Sequence, residues 1–376
     1  MSLSIDIHIL QSLPPSNVNR DDAGSPKTAI YGGARRLRAS SQSWKRATRR
    51  RFESSPFLGD LPSGTRTTRL VEMITHALAT DHGIDEPRAK ELAVKALSPI
   101  SLDKDKKNAE QNRTAYLMFV GRDQIASMAE AIAADPGAVE ALSKGDAEKF
   151  LEDSLGSRHS IDVALFGRMV ADLPKLKVDA SVQVAHAIAT HATETEFDYF
   201  TAVDDESTAE ETGAGMIGTV EYASATLYRY ANLNVDQLVK NLGTDLASAI
   251  TAIRAFLDAF VKSVPGGHQN TFAQNTRPAV VTFVVRDNQP VNLVSAFEAP
   301  VVAGKEGLVS ESAVRLAAEL RQAADLWGDP FLSVASSYIP SLHEQVHDVF
   351  GESTALAEAI ESVCGVVKER CGEVAA

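Results

Sequence analysis

Cysteine is scarce in this 376-residue chain: Cys364 and Cys371 are the only two. They lie too close together to staple a fold and lack the paired CxxC spacing of a zinc site. They therefore exclude a disulfide framework and point to a reducing compartment. No apolar run approaches the roughly 18 residues that span a bilayer, and no apolar stretch follows a basic start. Neither a membrane anchor nor a secretory leader is expected, and the cytoplasm is the expected location. Positive charge is also short, 37 Lys and Arg against 50 Asp and Glu for a net −13, which taken alone argues against binding a polyanion. Hydrophobic residues make up 44% of the chain, enough for two compact domains or one core with a large insertion, so disorder is not the default.

The positive charge that is present is concentrated. Between Asn17 and Arg51 stand ten cations (Arg20, Lys27, Arg35, Arg36, Arg38, Lys45, Arg46, Arg49, Arg50 and Arg51) against Asp21 and Asp22, a local +8 that leaves −21 on the remainder. Such asymmetry marks a candidate binding surface inside an otherwise acidic protein.

The alternation of Ser4 to Leu10 predicts a first strand with one face buried. Pro14-Pro15-Ser16-Asn17 is expected to break it, with a loop running through Gly24, Pro26, Gly32 and Gly33. Ser40 and Ser41 then act as N-cap candidates for a helix over about 42–52. At 100° per residue, Trp44, Ala47, Thr48 and Phe52 share its inward face, while Gln42, Lys45 and Arg49 line an adjoining one with Arg46 and Arg50 beside them. The helix start would offer backbone N–H groups and the positive end of the helix dipole to a phosphate. A merely solvated cationic face is the bland alternative. Like charges at this density repel, so a neutralising ligand is the easier explanation. Without base-reading side-chain pairs elsewhere, the surface suits tracking of a nucleic-acid backbone.

From about 59 to 176 the texture is helical, with Leu70, Ile74 and Leu78 on one stripe and Ile125, Met128, Ala129 and Ile132 on another. It reads as an inserted helical domain whose polar stretch 98–113 is a solvated loop. Strands are expected over 196–203 and 219–232, joined as a hairpin by a connector, 204–218, far longer than a tight turn needs. An amphipathic helix over 245–264 and a buried strand over 279–285 follow, and 311–369 reads as mostly helical. Strand, helix, strand, long loop, strand, helix, strand is the βαββαβ plan of the α+β, ferredoxin-like fold to which the RNA-recognition module belongs.

These residues also carry a family resemblance. The runs Asn17-Val18-Asn19-Arg20-Asp21-Asp22, Ile30-Tyr31-Gly32-Gly33 and Arg38-Ala39-Ser40-Ser41-Gln42-Ser43-Trp44-Lys45-Arg46 come first. Val163 to Met169, His186 to His191, Phe200 to Asp205 and Tyr228 to Asn234 follow in order. Together they resemble the CasC-type backbone subunit of the type I-E CRISPR Cascade, an RNA-guided bacterial antiviral complex. The resemblance implies a hand-like subunit: a ferredoxin-like palm (1–58 with 181–376, including the C-terminal helices), helical fingers (59–180) and a thumb (201–218). Copies would stack head to tail along a CRISPR guide RNA, beside other Cascade subunits, and meet target DNA through the guide. Arg20, Ser40, Gln42, Lys45 and Arg49 would hold guide phosphates, with Lys27, Arg35, Arg38 and Arg46 completing the basic surface. Met169 and the thumb, including Thr201 and Met216, would wedge bases out at intervals. No catalytic residue, metal or cofactor is implied.

Two other readings compete. His343-Glu344-Gln345-Val346-His347 is a complete HExxH, which on a helix sets two imidazoles on one face for zinc with a glutamate as base, and Glu358 or Glu361 could complete the ligands of a metallohydrolase. Asp204, Asp205 and Glu206 at the thumb could serve a metal-dependent endoribonuclease. His186 and His191, five apart, do not share a helical face and read as structural hydrogen-bonding residues.

Overall fold

The computed structural model describes residues 2–58, 63–102, 112–157, 159–202 and 216–375. Its strands are β1 (Ser4–Ser16), β2 (Thr28–Tyr31), β3 (Ala34–Ala39), β4 (Gly64–Thr67), β5 (Met118–Gly121), β6 (Val182–Val184), β7 (Ala187–Ala189), β8 (Glu196–Ala202), β9 (Met216–Asn234), β10 (Val280–Arg286) and β11 (Ser333–Tyr338). Its helices are α1 (Ser41–Phe52), α2 (Leu70–His82), α3 (Glu86–Ala96), α4 (Arg122–Ala134), α5 (Pro136–Glu140), α6 (Lys144–Leu155), α7 (Ile161–Phe166), α8 (Val235–Asn241), α9 (Leu246–Lys262), α10 (Gln269–Phe272), α11 (Gly307–Trp327), α12 (His343–Phe350) and α13 (Leu356–Ala375). Two compact units result: Met1–Ser54 with Val184–Asn232 and Phe256–Ala376, and Ser55–Gln183 with Leu233–Ala255.

A nine-stranded sheet runs in the order β11-β10-β1-β9-β7-β3-β2, with β6 and β8 also pairing β9. The pairings β1·β10, β10·β11, β3·β7, β7·β9 and β8·β9 are all antiparallel. Strand β1 departs from the expected one-sided burial. Ile5, Ile7 and Ile9 are buried, but so are Asp6 and His8 on the other face. Burial there is tolerated because the Asp6 carboxylate and His8 Nδ1 have partners, His8 Nε2 alone of their side-chain atoms having none among the described residues. Asp6 is ion-paired with Arg286 at 2.9 Å and accepts from Tyr230 at 2.7 Å, Asn232 at 3.1 Å and the Val291 amide at 3.0 Å. His8 Nδ1 meets the Tyr228 hydroxyl at 2.9 Å. Leu10, Tyr228, Val280 and Val284 on the sheet pack against Leu316 and Leu320 of α11 in one core cluster.

The expected break at Pro14-Pro15 does not occur. β1 continues to Ser16, and the segment expected to be loop contains the hairpin β2–β3. Its turn is Gly32-Gly33, both in the left-handed region (φ 55° and 73°), as a two-residue hairpin turn of the primed type requires. Gly32 is doubly constrained, because a Cβ there would stand 1.6 Å from the Glu298 carbonyl oxygen. The strand paired to the inner side of β9 is the short β7, not β8, which pairs only with the first half of β9. The two-stranded sheet β4·β5 and the edge strand β11 lie where helix was expected. In the second unit the predicted stripes are realised: Leu70, Ile74, Leu78, Ile125, Met128 and Ile132 are all buried in one core.

Candidate nucleic-acid interface

Helix α1 forms because Ser40, in extended conformation, caps it by accepting the Ser43 amide, and because Trp44, Thr48 and Phe52 recur on one buried face. Trp44 is buried with Leu13, Val18, Leu37, Ala187 and Leu227. Its ring is covered by the guanidinium of Arg229, whose Cζ lies 3.8 Å from the centroid. The same guanidinium also lies over the Phe260 ring, at 4.7 Å. Arg229 also donates to Gln11 Oε1, at 2.5 Å, and to the Phe260 carbonyl. Full burial pulls its pKa down to about 9. A strand, a helix and the far end of a second helix are thus clamped on one cation.

The helix start differs from expectation. Two of its amides are already engaged: Ser40 N–H donates to Asn19 Oδ1 and Ser41 N–H to His186 Nδ1, both at 2.8 Å. Asn19 and Asn17 therefore act as braces, Asn17 donating to the Gly24 and Glu221 carbonyls at 2.9 Å. Asp21 caps its own turn through the Ala23 and Ser25 amides. The His186 imidazole is held below its usual pKa, first by partial burial and then by the charges of Arg38 and Lys27, which places those two candidates around the helix start.

Along the helix the cations divide into stripes. Gln42, Arg46 and Arg50 are exposed, whereas Lys45 and Arg49, expected in open solvent, are half-buried. Arg46, Arg50 and Ser43 line a groove of about 560 Å³ together with Arg20, Asp22 and Gly267. Arg20 reaches across it, its Nη1 3.0 Å from His268 Nε2. Two of the ten clustered cations behave otherwise. Arg36 is buried, with its guanidinium donating to the carbonyls of Ala189, Thr190, Phe297 and Glu298 at 2.8–3.2 Å, so it is a structural residue. Arg35 is exposed on β3 and meets Thr28 at 3.2 Å.

Met169 lies in the second unit and is 80% exposed. Gly167 at φ 75° turns the chain there, and Arg168 is sunk beneath, donating to the Leu176 and Leu155 carbonyls at 2.9 and 2.7 Å. Thr201 is exposed on β8, paired with Ile217. The backbone of Met216 opens β9, and residues 203–215, including Asp204, Asp205 and Glu206, lie outside the described residues. Sequence reasoning missed the hairpin's surface: Phe197 and Tyr199, in the strand expected over 196–203, and Ile217, in the expected connector, are 60–66% exposed. Phe200 instead lies across Gly218, where a Cβ would come within 2.4 Å of its ring. Three aromatics within the seven residues of β8, Phe197, Tyr199 and Phe200, were the available signal.

The HExxH residues lie on α12, as expected. The His343 and His347 rings stack at 4.9 Å, His347 Nε2 is 3.0 Å from Asp348 and His343 Nδ1 is 3.4 Å from the Tyr338 hydroxyl. No cluster of three His, Cys, Asp or Glu able to hold a metal ion exists among the described residues. Nor is any helix among them long and apolar enough to cross a membrane.

Fold and surface together define an α/β protein built on a large antiparallel sheet, with a cationic helix braced onto one unit. The model of the CT1975-like protein family matches residues 5–362, and the chain belongs to that family, the CasC-type Cascade subunits its motifs resemble. Two solved structures are similar over nearly the whole length. A "CRISPR RNA-guided surveillance complex, pre-nicking" chain is 34% identical with a TM-score of 0.83, and a "CRISPR RNA-guided surveillance complex" chain is 30% identical with a TM-score of 0.75. In each case 96% of this chain and 99% of the other are covered. Among curated proteins no relative is found.

Proposed function

We propose that this protein is a non-catalytic backbone subunit of a type I-E Cascade that binds the CRISPR guide RNA, repeats head to tail along it in the cytoplasm and presents it for pairing with target DNA. The observation that carries the reading is α1: a helix clamped by Trp44 and Arg229 whose outward stripes bear Gln42, Lys45, Arg46, Arg49 and Arg50 beside the Arg20 groove. Phosphates need cations on a rigid support and no base-reading pairs, which suits a guide of any sequence. The strand order β10-β1-β9-β7, with α1 after β1 and α9 after β9, supports a ferredoxin-like palm. The second unit supports the finger assignment, and the β8–β9 hairpin with its exposed Phe197, Tyr199 and Ile217 supports a thumb that stacks on bases.

The test is the double variant Lys45→Ala/Arg49→Ala, assembled with guide RNA. Guide affinity should fall and the dependence of log K on log salt should become shallower by about 1.4, two phosphates' worth for a single strand, with the thermal midpoint nearly unchanged. An unchanged salt dependence would refute the assignment.

A further inference from the structure

On a helix turning 100° per residue, Arg49 and Arg51 lie about 160° apart. The flank that bears Ala47 and Arg51 therefore faces away from the proposed guide track. It opens on a second groove, of about 290 Å³, lined by Arg51, Lys262, Gln269, Asn275, Thr276 and Arg277. Arg51 Nε is buried there and has no hydrogen-bond acceptor among the described residues. Arg277 is exposed at the rim, and Lys262 is ion-paired with Asp258, the carboxylate nearest to it. The walls are fixed before any ligand arrives. Thr276 Oγ1 donates to the Ser12 carbonyl at 2.6 Å, and buried Gln274 donates to the Gly267 carbonyl at 2.9 Å and the Pro265 carbonyl at 3.3 Å.

We infer that this groove binds a nucleic-acid phosphodiester at a place separate from the Lys45–Arg49 track. Three cations against one carboxylate need an anion, and two guanidinium groups favour a tetrahedral phosphate with several acceptor oxygens. The track and the groove are separated by about one helix diameter, roughly 10 Å, a distance at which the strand paired to the guide, or another stretch of the guide itself, brings its phosphates. The inference rests on the proposed function only in placing the protein within a nucleic-acid complex.

The experiment uses the complex assembled with guide RNA, comparing wild type, Arg51→Gln/Arg277→Gln, Arg277→Gln alone and Lys45→Ala/Arg49→Ala. Salt titrations read guide retention and binding of a complementary DNA strand. The Arg51/Arg277 pair should make one of the two slopes shallower by about 0.7–1.4, with Arg277→Gln giving part of the change. A shallower guide slope identifies the guide as the source, and a shallower DNA slope identifies the paired strand. Unchanged slopes for both Arg51/Arg277 variants overturn the groove as a nucleic-acid site, in favour of an acidic protein partner or none. If the Lys45/Arg49 variant still responds, the proposed function survives that outcome. Arg277→Gln, altering an exposed side chain, keeps the test open should Arg51→Gln fail to fold.

Discussion

At the scale of single residues, the first unit is held by ionisable groups placed where ionisation is costly. His8 is the sharpest case. Burial, and secondarily the charge of Arg286, lower its pKa to about 3, while Asp6, Arg286, Tyr228 and Tyr230 surround it. The unfolded imidazole titrates near 6.5, so the unfolded chain takes up a proton that the folded one refuses. The stability His8 contributes is therefore complete above about pH 6.5 and is lost progressively as the pH falls toward about 3, at up to about 1.4 kcal/mol per unit. Asp6, pushed up by its burial, works in the opposite direction, so the informative quantity is the difference between wild type and His8→Gln. Denaturant midpoints from pH 7 to 4 should show a shallower acid loss in His8→Gln, from a neutral-pH stability about 1–2 kcal/mol lower because the Tyr228 hydroxyl keeps Asn292 and the Leu293 amide but loses its bond to the imidazole. Parallel curves would show that His8 is not the titrating group.

At the scale of elements, α1 depends on Arg229 as much as on its own sequence. Arg229→Ala would leave Gln11 Oε1 without a donor, leave the Phe260 carbonyl with only the Ser263 hydroxyl, and open a void against Trp44, a loss of about 3–5 kcal/mol. Arg229→Lys should recover little of it, since an ammonium cannot stack its plane on two aromatic rings and serve several acceptors at once. Guanidinium-chloride midpoints and Trp fluorescence would check both, and full rescue by lysine would show the stacking to be incidental. This clamp also marks how far the sequence could be read. Periodicity located α1, α9, β10 and the start of β1, though not the end of β1, and the spacing of Trp44, Thr48 and Phe52 identified the inward face of α1. Arg36 was counted among surface cations because nothing in its neighbourhood tells a buried guanidinium from an exposed one. Its partners are carbonyls at 189–190 and 297–298, remote in sequence. The Ser40 and Ser41 amides read as free for the same reason, their acceptors coming from Asn19 and His186. The second groove was equally hidden, since Lys262 and Arg277 reach α1 only through the fold.

At the scale of the whole molecule, charge is sorted. A net −13 chain keeps a +8 segment, and that segment is folded into β2, β3, α1 and the loop before them. Acidic surface elsewhere would disfavour stray polyanions and leave the cationic helix as the preferred landing place, with salt controlling both. The apolar contacts of the proposed function are distributed in the same way, outside the cores. Met169 crosses no packing interface of its own unit and stands on a turn fixed by Gly167 and the buried Arg168, whose pKa burial brings down to about 10. Met169→Ala should therefore leave the thermal midpoint within about 0.5 kcal/mol of wild type in free-energy terms. If Met169 wedges bases, chemical probing of the guide in the assembled complex should lose reactivity at regularly spaced positions, with overall guide affinity changed by less than about tenfold. A stable variant with an unchanged probing pattern would remove Met169 from the wedge and leave the β8–β9 hairpin, with Phe197, Tyr199 and Ile217, to act on the bases alone.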